Sequence, residues 1–212
     1  MKNRITLFKK NTSMNTRAFV GFTVFDVIHV VCAVALLIYA YSSDPVLDLL
    51  AAQCGTEIVF SLLLVAFIAS LAEHNEHHDS FHALYTFAWL TALASLLIPS
   101  SFSIPELSNV NWTNHSEALV VTLDIAYIVC ILAAFVCTFI TSFVSKRNKT
   151  WNRLIHVSMI LVLISVPLEI CSVLLVGEHQ MTMIFESIKA LAPIVPAILS
   201  LTLWKNDEFR NS

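Results

Sequence analysis

Seven ionisable residues interrupt the long apolar runs of this 212-residue chain: Asp26, His29, Glu57, Asp124, Glu169, Glu186 and Lys189. Each lies in a stretch apolar enough to cross a bilayer, where a charge is costly unless it is paired or wetted. Glu186 and Lys189 are three residues apart and so share one helical face, as do Asp26 and His29. Counted from the ends of their runs, Glu57, Asp124, Glu169, Glu186 and Lys189 fall in the outer half, Asp26 in the inner half and His29 near the middle. Such a set suits a polar cavity open to the outside, or a proton or cation path. The same residues would equally serve as interhelical hydrogen bonds holding a bundle together.

A second constellation is the segment Glu73-His-Asn-Glu-His-His-Asp-Ser-Phe-His82. If the following helix extends backwards, His74, His78 and His82 share a face with His77 beside them. Imidazoles at that spacing can hold zinc or another divalent metal, and the neighbouring acids could orient the rings. No other cofactor is implied. The H-x-x-H-H and H-x-x-x-H spacings are similar to those of membrane di-iron hydroxylases and desaturases, but that family needs several such boxes and this chain has one. The segment also resembles the histidine-rich loop of six-span zinc transporters, whose paired His/Asp signature is missing from the second and fifth runs. Other enzyme chemistry lacks its parts. Three glycines leave no phosphate-cradling loop, and no serine or cysteine sits in a nucleophile motif. The expectation is a protein that is not an enzyme.

The elements that must position these residues follow from composition. With 57% hydrophobic and 13% charged residues and a mean hydropathy of +0.77, the chain departs from soluble domains, where charged residues are about a quarter. The run Ala18 to Tyr41 is about as long as a membrane helix and well beyond the core of a signal peptide, so it reads as a retained anchor. Hydropathy predicts an all-α polytopic membrane protein with six transmembrane helices, at about 18–41, 49–72, 81–102, 118–144, 154–176 and 181–204. Residues 1–17 form a basic cytosolic arm in which little looks structural, and 205–212 a short cytosolic tail. Ser43-Asp44-Pro45 reads as the start of the second helix.

With both termini cytosolic, every loop lysine and arginine falls inside: Lys2, Arg4, Lys9, Lys10, Arg17, Lys146, Arg147, Lys149, Arg153, Lys205 and Arg210. The outer segments hold none, which is the asymmetry the positive-inside rule requires. The chain is thus expected in the plasma membrane or an endomembrane, with the lipid bilayer as partner, no nucleic acid, and room for a homo-oligomer. The sequons at Asn111 and Asn114 fall in the outer loop 103–117, the pattern of a glycoprotein, while two others, at Asn11 and Asn148, fall on the cytosolic side. The five cysteines form no CxxC and read as small buried hydrophobes.

Three matches in the same order suggest an internal duplication. Asp26-Val-Ile-His-Val-Val-Cys32 parallels Asp124-Ile-Ala-Tyr-Ile-Val-Cys130. Glu57-Ile-Val-Phe-Ser-Leu-Leu-Leu-Val parallels Glu169-Ile-Cys-Ser-Val-Leu-Leu-Val if one residue is skipped. Ala92-Leu-Ala-Ser before Pro99 parallels Ala190-Leu-Ala-Pro before Pro196. Three helices per copy is an odd number, so the copies would be inverted, as in many transporters. Pro167, Pro193 and Pro196 lie inside helical runs and should free the carbonyls of Leu163, Lys189 and Ala192, which broken helices use to coordinate ions. Two functions remain: a small-solute or ion transporter, or a non-catalytic protein that organises membrane or scaffolds assembly.

Overall fold

The computed structural model describes residues 2–43, 48–73, 78–97, 113–144, 149–176 and 180–203, with side chains in 17–39, 41, 53–71, 83–97, 113–144, 150–176, 180 and 183–201. The elements among the described residues are all helices: α1 Lys2–Ser43, α2 Asp48–Glu73, α3 His78–Ser95, α4 His115–Thr141, α5 Lys149–Val176, α6 Gln180–Leu191 and α7 Ile194–Leu203. Five stretches are long and apolar enough to cross a membrane: Arg17–Tyr39, Gln53–Leu71, His115–Thr141, Thr150–Val176 and Met183–Leu201. The last runs across α6 and α7. Ala83–Ser95, within α3, is apolar but shorter, so the third of the six expected spans falls short of that length among the described residues. An all-helical integral membrane protein is the architecture these elements support.

Several boundaries differ from the sequence expectation. α1 begins at Lys2, so the basic arm continues the helix of the first span rather than lacking structure. At about 1.5 Å per residue its 42 residues reach roughly 60 Å, about twice the hydrocarbon thickness, so the basic turns project beyond the apolar window that opens at Arg17. Ser43 closes α1 instead of opening the next helix, and residues 44–47 lie outside the described residues. α4 begins three residues before Ala118 because Asn114 caps it. Its side-chain oxygen accepts the Ser116 N–H at 3.3 Å while its Nδ2 donates to Glu117 Oε1 at 2.9 Å.

The helices pack in a closed ring. α1 lies on α2, α2 on α3, α3 on α4, α4 on α5, α5 on both α6 and α7, and those two return to α1. Phe22 of α1 meets Tyr85 and Trp89 of α3 edge to face, at 5.8 and 5.3 Å between ring centroids. The same core takes Ile131 from α4 and Ile155 and Met159 from α5. Val27, Val31, Leu62, Leu132 and Phe139 point outward, as side chains facing hydrocarbon should. Hydroxyls tie α4 to α5: Thr138 Oγ1 lies 2.8 Å from Ser158 Oγ, which donates to the Ala134 carbonyl at 3.0 Å. At Gly21, a Cβ would stand 3.1 Å from Pro196 Cα, so the glycine lets α1 approach the α7 backbone.

The prolines act differently from one another. α5 runs on through Pro167, whereas the sixth apolar run breaks at Ala192-Pro193 into α6 and α7. The carbonyls expected to be freed there are taken up locally. Lys189 O accepts the Ala192 N–H at 3.0 Å and Ala192 O accepts the Val195 N–H at 3.3 Å. Tight i to i+3 turns of this kind replace the lost helical bonds, so these two carbonyls are not left bare for an ion.

Candidate functional site

The break ends α6 two residues after Lys189, placing the ammonium in the last turn, where the helix dipole favours a cation. Lys189 Nζ lies 3.0 Å from Glu57 Oε1 on α2 and 2.9 Å from Glu186 Oε2 on its own helix. The three side chains are 7%, 2% and 4% exposed, so the triad is buried.

Beside it is a cavity of about 10 Å³, room for about one water molecule. Its wall draws on six of the seven helices. His29 comes from α1, Glu57 from α2, Ser95 and Leu96 from the end of α3, Tyr127 from α4, Glu169 from α5, and Lys189 and Ala190 from α6. His29 is 1% exposed and stacks on Phe25 at 4.6 Å, yet neither ring nitrogen has a hydrogen-bond partner in the structure. Glu57 Oε2 is likewise buried without one. Tyr127 donates to the Leu96 carbonyl at 2.8 Å, fixing the end of α3 against the cavity.

Of the seven ionisable residues singled out from the sequence, four line this cavity (His29, Glu57, Glu169, Lys189) and Glu186 joins them through Lys189. Asp26 and Asp124 are buried but stand apart from the wall. Each meets a serine on the next helix, Asp26 with Ser61 of α2 and Asp124 with Ser172 of α5. Tyr127, Ser61 and Ser172 were not anticipated as parts of the arrangement. The spacing did contain a signal for Tyr127, which follows Asp124 by three residues as His29 follows Asp26.

The electrostatics favour positive charge. Glu57 and Glu186 hold the ammonium and Glu169 lines the same cavity, so three carboxyl groups accompany one ammonium and two formal negative charges remain with His29 neutral. The C-terminal ends of α3 and α6 both abut the cavity, and each adds partial negative charge. Among the described residues no group of three or more His, Cys, Asp or Glu is placed to hold a metal ion. His74 and His77 lie outside the described residues, as do the side chains of His78 and His82 and the whole of Asn111. Asn114 is exposed at the α4 cap. No family model, curated protein or solved structure matches this chain.

Proposed function

We propose that the protein is an integral membrane transporter for a small cation, built from two inverted three-helix halves with the substrate site at their junction. The observation that carries this is the composition of the cavity wall. Residues that the internal repeat matches stand together on it: His29 with Tyr127, and Glu57 with Glu169. The supporting pairs match as well, since Asp26 with Ser61 joins α1 to α2 as Asp124 with Ser172 joins α4 to α5. The third matched segments, Ala92–Ser95 and Ala190–Pro193, are where α3 ends and where α6 gives way to α7. A polar site at the repeat interface beside a broken helix is the arrangement of many secondary transporters.

The size and charge of the site narrow the substrate. A cavity for about one water molecule excludes sugars and amino acids from this conformation, and a surplus of carboxyl groups disfavours anions. The proposal adopts six spans with both termini cytosolic, because only that arrangement leaves the outer segments free of lysine and arginine. The test is flux in proteoliposomes under imposed sodium, potassium or proton gradients, with Glu57→Gln and Glu169→Gln as controls that keep side-chain shape. Flux of one cation, lost in both variants while thermal stability is retained, is expected. A folded protein that passes none of the three would leave the scaffolding function, to which the locally satisfied proline break and the Thr138–Ser158 tie already lend support.

A further inference from the structure

We infer that the cation is a proton, carried on Glu57 Oε2 and hydrogen-bonded through the cavity to a neutral His29. This rests on the transport proposal for its biological role, but the proton site itself stands on separate geometry.

Two buried groups on the same cavity wall have unused hydrogen-bonding capacity. Glu57 turns one oxygen to Lys189 and leaves Oε2 without a partner. Both nitrogens of His29 are also without one. A bare carboxylate oxygen and an unbonded imidazole are each expensive in a dry interior. Put a proton on Oε2 and both costs fall together, because the new O–H can donate to the lone pair of a neutral imidazole through one water in a cavity of that size.

An alkali ion fits less well. It would need several oxygen ligands in a space for about one water, and it would lie against an ammonium already held between Glu57 and Glu186. A proton needs only a lone pair. It also removes one of the two surplus negative charges, leaving Lys189 to serve Glu186. In the loading step a hydronium ion reaching the cavity breaks one of its O–H bonds, the proton bonds to Glu57 Oε2, and a neutral water remains. Unloading is the reverse.

Groups from five helices set this equilibrium. Cys32 faces in from α1 with His29, and Gln53 and Cys54 adjoin Glu57 on α2. Tyr127 comes from α4, Glu169 from α5, and Glu186 with Lys189 from α6.

The test is infrared spectroscopy of the purified protein in bilayers at neutral pH, reading the carbonyl stretch of protonated carboxyl groups in H₂O and D₂O. Wild type minus Glu57→Gln should contain a protonated-acid band that shifts in D₂O, and His29→Ala should displace it by removing its acceptor. A difference spectrum showing only carboxylate bands would overturn the inference, as would a band that survives Glu57→Gln and disappears in Asp26→Asn or Asp124→Asn. The flux assay separates the two claims. The Glu57 band without flux keeps the proton site and removes transport, while sodium or potassium flux without the band keeps transport and removes the proton.

Discussion

Lys189→Ala should be among the most damaging single substitutions in the chain. The ammonium is held at 3.0 and 2.9 Å by two carboxyl groups, with all three side chains under a tenth exposed. Removing one partner of a buried ion pair costs about 3–5 kcal/mol, because the charge left behind is neither solvated nor paired. For a domain of this size about 1 kcal/mol moves the melting temperature by about 2–4 °C, so a loss on the order of 10 °C is expected. The informative measurement is a pair of double-mutant cycles, Lys189→Ala with Glu186→Gln and with Glu57→Gln, read by thermal unfolding in detergent. If Glu186 holds the charge and Glu57 the proton, the Glu186 cycle should show a coupling of about 1–3 kcal/mol, with the double variant recovering part of the single loss, and the Glu57 coupling should be smaller. Strictly additive losses in both cycles would mean that Lys189 has no carboxylate partner, and the charged-core argument would fail with them. A larger Glu57 coupling would place the charge on Glu57 instead.

Two further outcomes are expected. Gly21→Ala would set a Cβ 3.1 Å from the Pro196 backbone, so α1 and α7 must part by a few tenths of an ångström, and this overpacking should outweigh a helix-propensity gain of up to about 1 kcal/mol. Gly55→Ala has nothing within 4 Å and should gain up to about 1 kcal/mol of helix propensity, so melting temperatures moving in opposite directions check the packing. For topology, a cysteine at position 110 should react with an impermeant maleimide from outside and one at position 148 should not. The reverse pattern would sink the six-span arrangement.

Hydropathy made most of the helices legible because a bilayer demands length and apolar composition together, and both are local properties. The ends were less legible. Asn114 starts α4 early through a cap that involves Ser116 and Glu117, and α1 runs back to Lys2 through residues whose polarity hides their helicity. The candidate site was half visible. Charges inside apolar runs mark themselves, so Glu57, Glu169, Glu186 and Lys189 needed no structure to be noticed. That Lys189 reaches Glu57, 132 positions away in sequence, is a tertiary fact, and so is the separation of Asp26 and Asp124 from the cavity they were expected to help line. At the α6–α7 break the proline argument failed for a local reason: the lost bonds there were replaced within one turn by neighbouring amides.

The departures from the proposed repeat are as informative as its matches. With Ala92 set against Ala190, Phe87 falls on Phe185, but Ala88 and Thr91 fall on Glu186 and Lys189. Ala88 is fully buried, and Thr91 spends its hydroxyl on the Phe87 carbonyl at 2.9 Å. The first half therefore presents a small apolar residue and a self-satisfied hydroxyl where the second presents an acid and its ammonium. His29 and Tyr127 differ in the same way, since an imidazole can accept a hydrogen bond in the cavity while the phenol is committed to the Leu96 carbonyl. If the halves descend from one unit, the duplicated frame supplies matched helix ends and matched carboxyl groups, and these few substitutions make the two sides of the cavity chemically unequal. A symmetric pair of acids would repel a shared site apart. In the proposed arrangement Lys189 holds Glu57 to Glu186, and the unsatisfied His29 gives a proton somewhere to point.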